Sequence, residues 1–177
     1  MITLEAVSSY IWPGLVELIH DLGSGEHGFS GTPVASGEMT LDEYLLRCTA
    51  MTDPANLQPG LVPQTVFWVI DGEGEAVGMV RVRHFLNEKL KDRGGHIGYY
   101  IRRDQRGKGY GQEALRMALQ ELQKFGETHA LLTVDLDNPA SIRVIEANRG
   151  ALESAGQGED GRAFGRYWID MPGKSKI

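Results

Sequence analysis

Tyr100 to Gly111 joins a β-branched and aromatic run directly to the most amphipathic segment of the chain, and this junction limits the folds open to it. His96-Ile97-Gly98-Tyr99-Tyr100-Ile101-Arg102 has the composition of a central strand. From Gly111 to Phe125, Leu115, Ala118, Leu119 and Leu122 recur at helical spacing, while Gln112, Glu113, Arg116, Gln120 and Lys124 fall on the opposite face. Gly126 is placed to stop that helix. Between the two stands Arg106-Gly107-Lys108-Gly109-Tyr110-Gly111. Glycines let the backbone turn tightly and let an anion reach its N–H groups with no β-carbon in the way. The first helical turn adds unpaired donors and the positive end of the helix dipole, so a pyrophosphate is a natural guest. Arg102, Arg103, Arg106 and Lys108 sit in seven positions against one acid, Asp104, which reads as charge gathered to neutralise a polyphosphate.

The elements around this junction are mixed. A strand is expected over Ile2 to Val7 and a helix over about Trp12 to Leu22, with Leu15, Leu18, Ile19 and Leu22 at helical spacing. Gly23 to Gly37 is a loop rich in Gly, Ser, Thr and Pro, placed to lie over a substrate site. Thr40-Leu41-Asp42-Glu43 has the capping-box spacing and predicts a helix to about Met51. Thr65 to Ile70 and Ala76 to His84 read as a hairpin across Asp71-Gly72-Glu73-Gly74, with Val80, Val82 and His84 alternating against Arg81, Arg83 and Phe85. Asn87 to Gly95 is a polar connection. Ala130 to Leu136 is a further strand, and Pro139 starts a helix that Gly150 stops. Strands near Leu152 and over Phe164 to Met171 flank the glycine-rich turn Gly156 to Gly161. This order predicts an α/β sandwich of α+β type, its sheet largely antiparallel with one parallel crossover in the middle.

At 177 residues one domain spanning 1–177 is expected, large enough to need no disulfide or metal staple. Cys48 is the sole cysteine and sits in the apolar stretch Tyr44-Leu45-Leu46-Arg47-Cys48, which favours a buried inert thiol. A formal charge of -6 argues against a general nucleic-acid binder. Met1 to Glu5 lacks the basic segment and apolar run of a signal peptide, and no stretch approaches the roughly 20 apolar residues that span a bilayer. A cytoplasmic location without membrane association is the expectation.

Two other phosphate motifs are in view. Gly109-Tyr110-Gly111-Gln112-Glu113-Ala114 formally satisfies the dinucleotide fingerprint with a final Ala, although that motif opens a parallel βαβ unit and a hairpin precedes this one. Gly173-Lys174-Ser175 has the ending of a P-loop, but Trp168 occupies the position of its first glycine.

Arg106-x-x-Gly109-x-Gly111 resembles the coenzyme A signature of the GNAT acetyltransferase superfamily, Arg/Gln-x-x-Gly-x-Gly/Ala. Tyr99-Tyr100-Ile101 occupies the place of that family's strand whose backbone pairs with the pantetheine arm. Asn138-Pro139-Ala140-Ser141, with Arg143 to Glu146 and Asn148, resembles its next helix, where Asn138 and Ser141 would help seat the cofactor. The likeness runs from about Trp68 to Ala151 and more weakly to Tyr167-Trp168-Ile169, and Gly94 to Tyr99 resembles a bacterial branch of acetyltransferases without an assigned substrate. It implies a GNAT-like αβα sandwich, with a mixed, largely antiparallel central sheet of roughly six to seven strands and about four helices. It further implies acetyl-coenzyme A as co-substrate, no metal, and direct transfer to a primary amine of a small molecule or peptide. Homodimers are common in the superfamily, which leaves one open here. Tyr99, Tyr100, Ile101, Arg106, Gly107, Lys108, Gly109, Tyr110, Gly111, Gln112, Asn138 and Ser141 are the candidate cofactor contacts.

The reaction has needs of its own. A lysine-like amine has a pKa of about 10.4 and must lose a proton before it attacks. The thioester carbonyl gathers negative charge, and the leaving thiol, of pKa about 8.5, is helped by a proton donor. His96 is the first candidate base because histidine titrates near neutrality, with Glu88 and His84 behind it; strand alternation equally allows residues 95 and 97 to face the substrate and His96 to be structural, bonded within the sheet end. Asp135 and Asp137 suit cap or loop roles, and His20, His27 and His129 belong to no constellation. Many members of the superfamily carry, seven residues beyond the position of Asn138, a Tyr that protonates the thiol; this chain has Ile145, leaving Tyr100, Tyr110 and Tyr167 as substitutes. A non-catalytic acyl-coenzyme A module and a dinucleotide-dependent oxidoreductase are the competing readings.

Overall fold

Strand alternation sorts the apolar residues onto two faces. On β4 (Gln64–Ile70), Phe67 and Val69 point to one side and Val66, Trp68 and Ile70 to the other. The next strand, β5 (Ala76–Arg83), repeats this with Val80 and Val82 opposite Met79. From Gln64 to Val69 the alternation commits each position to one face and fixes the register, which shifts only between Val69 and Ile70 at the turn end of the hairpin. With β1 (Thr3–Ala6) on one flank and β6 (Ile97–Ile101) on the other, these strands form an antiparallel sheet in the order β1-β4-β5-β6. A second antiparallel sheet, β7-β9-β8, is built from β7 (His129–Asp135), β8 (Ala151–Gln157) and β9 (Ala163–Asp170). Residues 1–171 are described by this computed structural model; the P-loop-like Gly173-Lys174-Ser175 lies outside them.

Helices cover both faces. The stripe predicted on α4 (Tyr110–Gln123) is buried at Ala114, Leu115, Ala118, Leu119 and Leu122, against residues of both sheets and Ile145 of α5 (Pro139–Ala147). The other face of the first sheet takes α1 (Leu15–Leu22) and α2 (Leu41–Ala50), with Cys48 of α2 buried in the same cluster as Trp68 and Met79. Burial raises the Cys48 thiol pKa, in keeping with an inert core residue. The capping box forms as predicted: Glu43 N–H donates to Thr40 Oγ1 (3.2 Å) and Thr40 N–H to Glu43 Oε2 (2.8 Å). Thr40→Ala is expected to lower stability by about 1 kcal/mol, read as a fall in Tm.

Three features differ from the sequence-based expectation. The loop Gly23 to Gly37 contains a small hairpin of β2 (Gly25–Glu26) and β3 (Phe29–Ser30), with His27 (φ 46) and Gly28 (φ 80) both left-handed at its turn. The polar connection after β5 holds a short helix, α3 (Glu88–Asp92), capped by Asn87, which brings the α-helices to five among the described residues. The central sheet of six to seven strands is two sheets of four and three, and every ladder is antiparallel, so no parallel pair forms at the β6–α4–β7 crossover.

The split has a local cause. Next to β6, His96 N–H donates to Leu131 O (2.7 Å) and Leu131 N–H donates back to His96 Nδ1 (2.9 Å). Gly95 permits the approach, since at φ 66 a β-carbon there would lie 2.3 Å from Leu131 O. Beyond this joint β6 and β7 share no ladder and the sheets part.

Candidate active site

The wedge between the sheets is a cavity of about 780 Å³. Tyr99 and Ile101 line it from β6, Leu132 to Asp135 from β7, Arg106, Gly107 and Gly109 to Gln112 from the loop and first turn of α4, and Asn138, Ser141 and Ile145 from α5. The glycine-rich loop is shaped as its sequence implies. Gly107 (φ 79) and Gly109 (φ 80) are left-handed and face open space, and a β-carbon at either would meet nothing within 4 Å. Gly109 caps α4 without a side-chain acceptor, and the first intrahelical bond runs from Glu113 N–H to Gly109 O (3.2 Å). The amides of Tyr110, Gly111 and Gln112 thus belong to the turn that has no intrahelical partner. Gly111 packs beside Tyr99 and Val144.

The basic residues of this loop are less available than their density implies. Arg102 is buried, with Nε donating to Asp104 Oδ1 (2.7 Å) and Nη1 to Glu75 Oε1 (3.2 Å). Arg103 pairs with Asp21 (3.2 Å), and Arg106 Nη2 donates to Glu26 Oε2 (2.5 Å) while its Nε holds Ile101 O (3.0 Å). Lys108 donates to the neutral Gln105 Oε1 (2.6 Å) and stands 5.9 Å from the centre of the Tyr110 ring, so among the described residues it alone of the four lacks a carboxylate partner.

Of the two residues expected to act in catalysis, Tyr100 lines the cavity and His96 does not. His96 is buried but absent from the cavity wall; it lines a separate hollow with Glu127 and Trp168, and its Nδ1 is occupied by Leu131 N–H. Burial, with Arg83 nearby, pulls its pKa down to about 4, so the ring is neutral and structural. The Tyr100 hydroxyl donates to Asp21 Oδ2 of α1 (2.7 Å), and its ring stacks on that of Phe29 (6.2 Å), which lines the cavity with it. Burial and Asp21 both raise its pKa. Its neighbour Tyr99 faces the wedge, its hydroxyl 2.6 Å from Ser141 Oγ, its pKa raised by burial to about 12. His84 bonds Thr65 (2.8 Å) and stacks on Phe125, and Glu88 pairs with Lys91, both away from the cavity. Asn138 Oδ1 accepts from Ser141 N–H (3.2 Å), capping α5 at the cavity edge.

Several wall residues were given no role on sequence grounds. The β2–β3 hairpin spans the mouth: Glu26 holds Arg106 on one bank, and His27 Nδ1 lies 3.9 Å from both Asp135 Oδ2 and Asp137 Oδ1 on the other. His27 thus does belong to a constellation, and Asp135 is a wall residue and not a cap. Asp135 is buried, Oδ1 bound by Arg93 (3.2 Å) and Oδ2 without a hydrogen bond. The three ligand atoms of His27, Asp135 and Asp137 fall within 4.8 Å of one another, but the guanidiniums of Arg93 and Arg162 already face Asp135. Glu26 is held below the usual carboxylate pKa by its bond to Arg106. The signal that could have flagged Arg81 and Arg83 was the alternation of β5, which puts them on the face opposite Val80 and Val82. Nothing local marks the hairpin, whose strands are two residues each.

The antiparallel ladders remove support for the dinucleotide reading, which needs a parallel sheet. Among the described residues no helix is long and apolar enough to cross a membrane. No curated protein matches the chain. Among solved structures, a dodecameric spermidine N-acetyltransferase from Vibrio cholerae superposes with a TM-score of 0.66 at 17% identity, over 96% of this chain and 93% of that one. A GNAT-family acetyltransferase from Streptococcus pneumoniae does so with a TM-score of 0.65 at 14% identity, over 97% and 100%. These likenesses establish the fold. The sequence profile described as "Acetyltransferase (GNAT) family" matches residues 38–151, well over half of the 177 residues. With the open glycine loop at the head of α4 and the wedge between its sheets, this chain belongs to the GNAT family of acetyltransferases.

Proposed function

We propose that the chain, as one N-acetyltransferase domain over residues 1–177, transfers the acetyl group of acetyl-coenzyme A to a primary amine by direct attack. The observation that carries this is the wedge itself, which ends on the uncapped first turn of α4. The thioester supplies an activated acetyl group when it is bound. Gly107 to Gln112 offer amides and the helix dipole to a diphosphate, with Lys108 as the available cation. The edge of β6 that faces β7, from Tyr99 to Ile101, has no ladder partner and suits an amide-bearing arm. Asn138 and Ser141 form the opposite lip.

Proton movement falls to residues on the wall. His27 lines the mouth beside Asp135 and Asp137 and is the group placed to take the proton of an incoming amine, directly or through water, while Glu26 and Asp135 are tied to Arg106 and Arg93. Tyr99, its hydroxyl 2.6 Å from Ser141 Oγ, faces the wedge and offers a departing thiolate a hydrogen bond. With the phenol pKa raised to about 12 against about 8.5 for the thiol, the thiolate leaves as the anion and takes its proton from water. Ile145, buried to 1% exposure, cannot serve. The test is release of free thiol from acetyl-coenzyme A in the presence of an amine panel, with calorimetry for binding. Turnover with at least one amine is expected. Tight binding without thiol release from any amine would leave the non-catalytic reading, which an Ile at position 145 favours, in its place.

A further inference from the structure

We propose that the acceptor carries a carboxylate beside its amine, as an amino acid does, and that Arg81 and Arg83 form the clamp that receives it. This rests on the reading of the wedge as an acetyl-transfer site and names the acceptor that site would take. Arg81 and Arg83 stand two residues apart on β5, on the same face as Met79 and opposite Val80 and Val82. Elsewhere that face is core: Val66, Trp68, Met79 and Tyr100 are all buried. Two guanidiniums side by side there repel one another and lose water, a cost normally offset by a carboxylate.

Among the described residues, no carboxylate lies within 4.0 Å of either. The other guanidiniums on the cavity wall are paired, Arg93 with Asp135 (3.2 Å) and Asp160 (3.3 Å), and Arg106 with Glu26. Arg81 and Arg83 are instead held in place by neutral groups. Arg81 donates through Nη1 to Ser30 Oγ (2.8 Å) and through Nη2 to Ser30 O (3.0 Å), its guanidinium 4.2 Å from the centre of the Phe29 ring. Arg83 spends Nη1 alone, on Gly94 O (3.2 Å) and Gly95 O (2.9 Å), leaving Nε and Nη2 for a ligand. Burial, with the charge of Arg81 next to it, lowers the Arg83 pKa. A planar fork fixed by neutral acceptors with donors to spare suits a carboxylate.

The coenzyme's diphosphate does not explain this charge. Val82 pairs with Ile97, and Gly78 with Ile101, so Arg83 lies at the end of β6 remote from the loop at Arg106. Four strand steps at about 3.3 Å place the two ends roughly 13 Å apart. Both arginines line the same cavity as Tyr99 and Gly98, on the hairpin side.

The experiment compares amino acids with their matched carboxamides, and with spermidine, as acceptors in the thiol-release assay, for the wild type and for Arg83→Gln and Arg81→Gln. A preference for the free carboxylate of at least about tenfold in kcat/KM is expected, and either substitution should collapse that ratio toward one while acetyl-coenzyme A affinity holds. Carboxamides or spermidine used as well as the acids, or a ratio that survives both substitutions, would overturn the clamp. If no amine is acetylated, it is the acetyl-transfer reading that fails, and calorimetry with N-acetylated amino acids then decides the clamp alone. Binding to the wild type and not to Arg83→Gln sustains it, and binding to neither rejects it.

Discussion

Gly109→Asp is expected to weaken acetyl-coenzyme A binding by at least about 100-fold, or roughly 2.7 kcal/mol, with little change in Tm. Gly109 is left-handed at φ 80 and a β-carbon there meets nothing within 4 Å, so the side chain itself fits. Asp is among the residues that tolerate this conformation, so the backbone cost stays near 1 kcal/mol. What changes is charge. A carboxylate at the cap of α4 stands where the amides of Tyr110, Gly111 and Gln112 would meet a diphosphate, and it competes for them. Gly109→Asn has nearly the same shape without the charge and should retain most of the affinity. Calorimetric titration of both variants gives the comparison, and an Asp variant that binds like the wild type would remove the helix entrance from the cofactor site.

Acidification should destabilise the protein by about 3 kcal/mol between pH 6.5 and 4 through His96 alone. Its folded pKa, near 4, lies below the ordinary histidine value because the ring is buried and Arg83 is close. The unfolded chain therefore binds a proton in this window that the folded chain refuses. The stabilisation is complete above pH 6.5, falls as pH drops, and is exhausted below about 4. Glu127, 3.7 Å from Nε2, is the charge placed to soften the loss. Carboxylates with lowered pKa, such as Glu26, act in the same direction but at lower pH. His96→Asn keeps an acceptor for Leu131 N–H and cannot titrate, so urea unfolding of this variant from pH 7 to 4 should show a flatter dependence than the wild type. Equal slopes would mean that the ring is already protonated in the fold.

Local patterns carried much of this architecture. The capping box at Thr40, the stripe on α4 and Pro139 at the head of α5 all form where the sequence places them, because each depends on neighbours within one helical turn. The hairpin at Gly25 to Ser30 was not legible, since strands of two residues leave no alternation to read. Division of the sheet was hidden for another reason: it depends on Gly95 meeting Leu131, 36 positions on, which no short window contains. The same holds in the site. Loop glycines, Tyr99, Asn138 and Ser141 do share one cavity, since all flank the α4 and α5 starts. The partners of Arg103 and Arg106 are Asp21 and Glu26, some 80 positions distant, so charge density near Lys108 overstated the free charge. His96 sits one residue before β6, and its joint with Leu131 keeps its ring away from the wedge, in line with the structural role at the sheet end that the sequence left open beside a catalytic one.

The short joint at His96 and Leu131 also governs how the protein can yield. Spreading two sheets that share a ladder would break a row of hydrogen bonds, whereas here the gap can widen by pivoting about the short stretch Gly94 to His96 against Leu131 to Thr133. Resistance to that pivot comes from the buried side chains of α4, which lean on strands of both sheets at once. The girth of passenger the gap tolerates is accordingly set by how tightly Leu115, Ala118 and Leu122 pack, behind the walls and out of reach of whatever the gap holds.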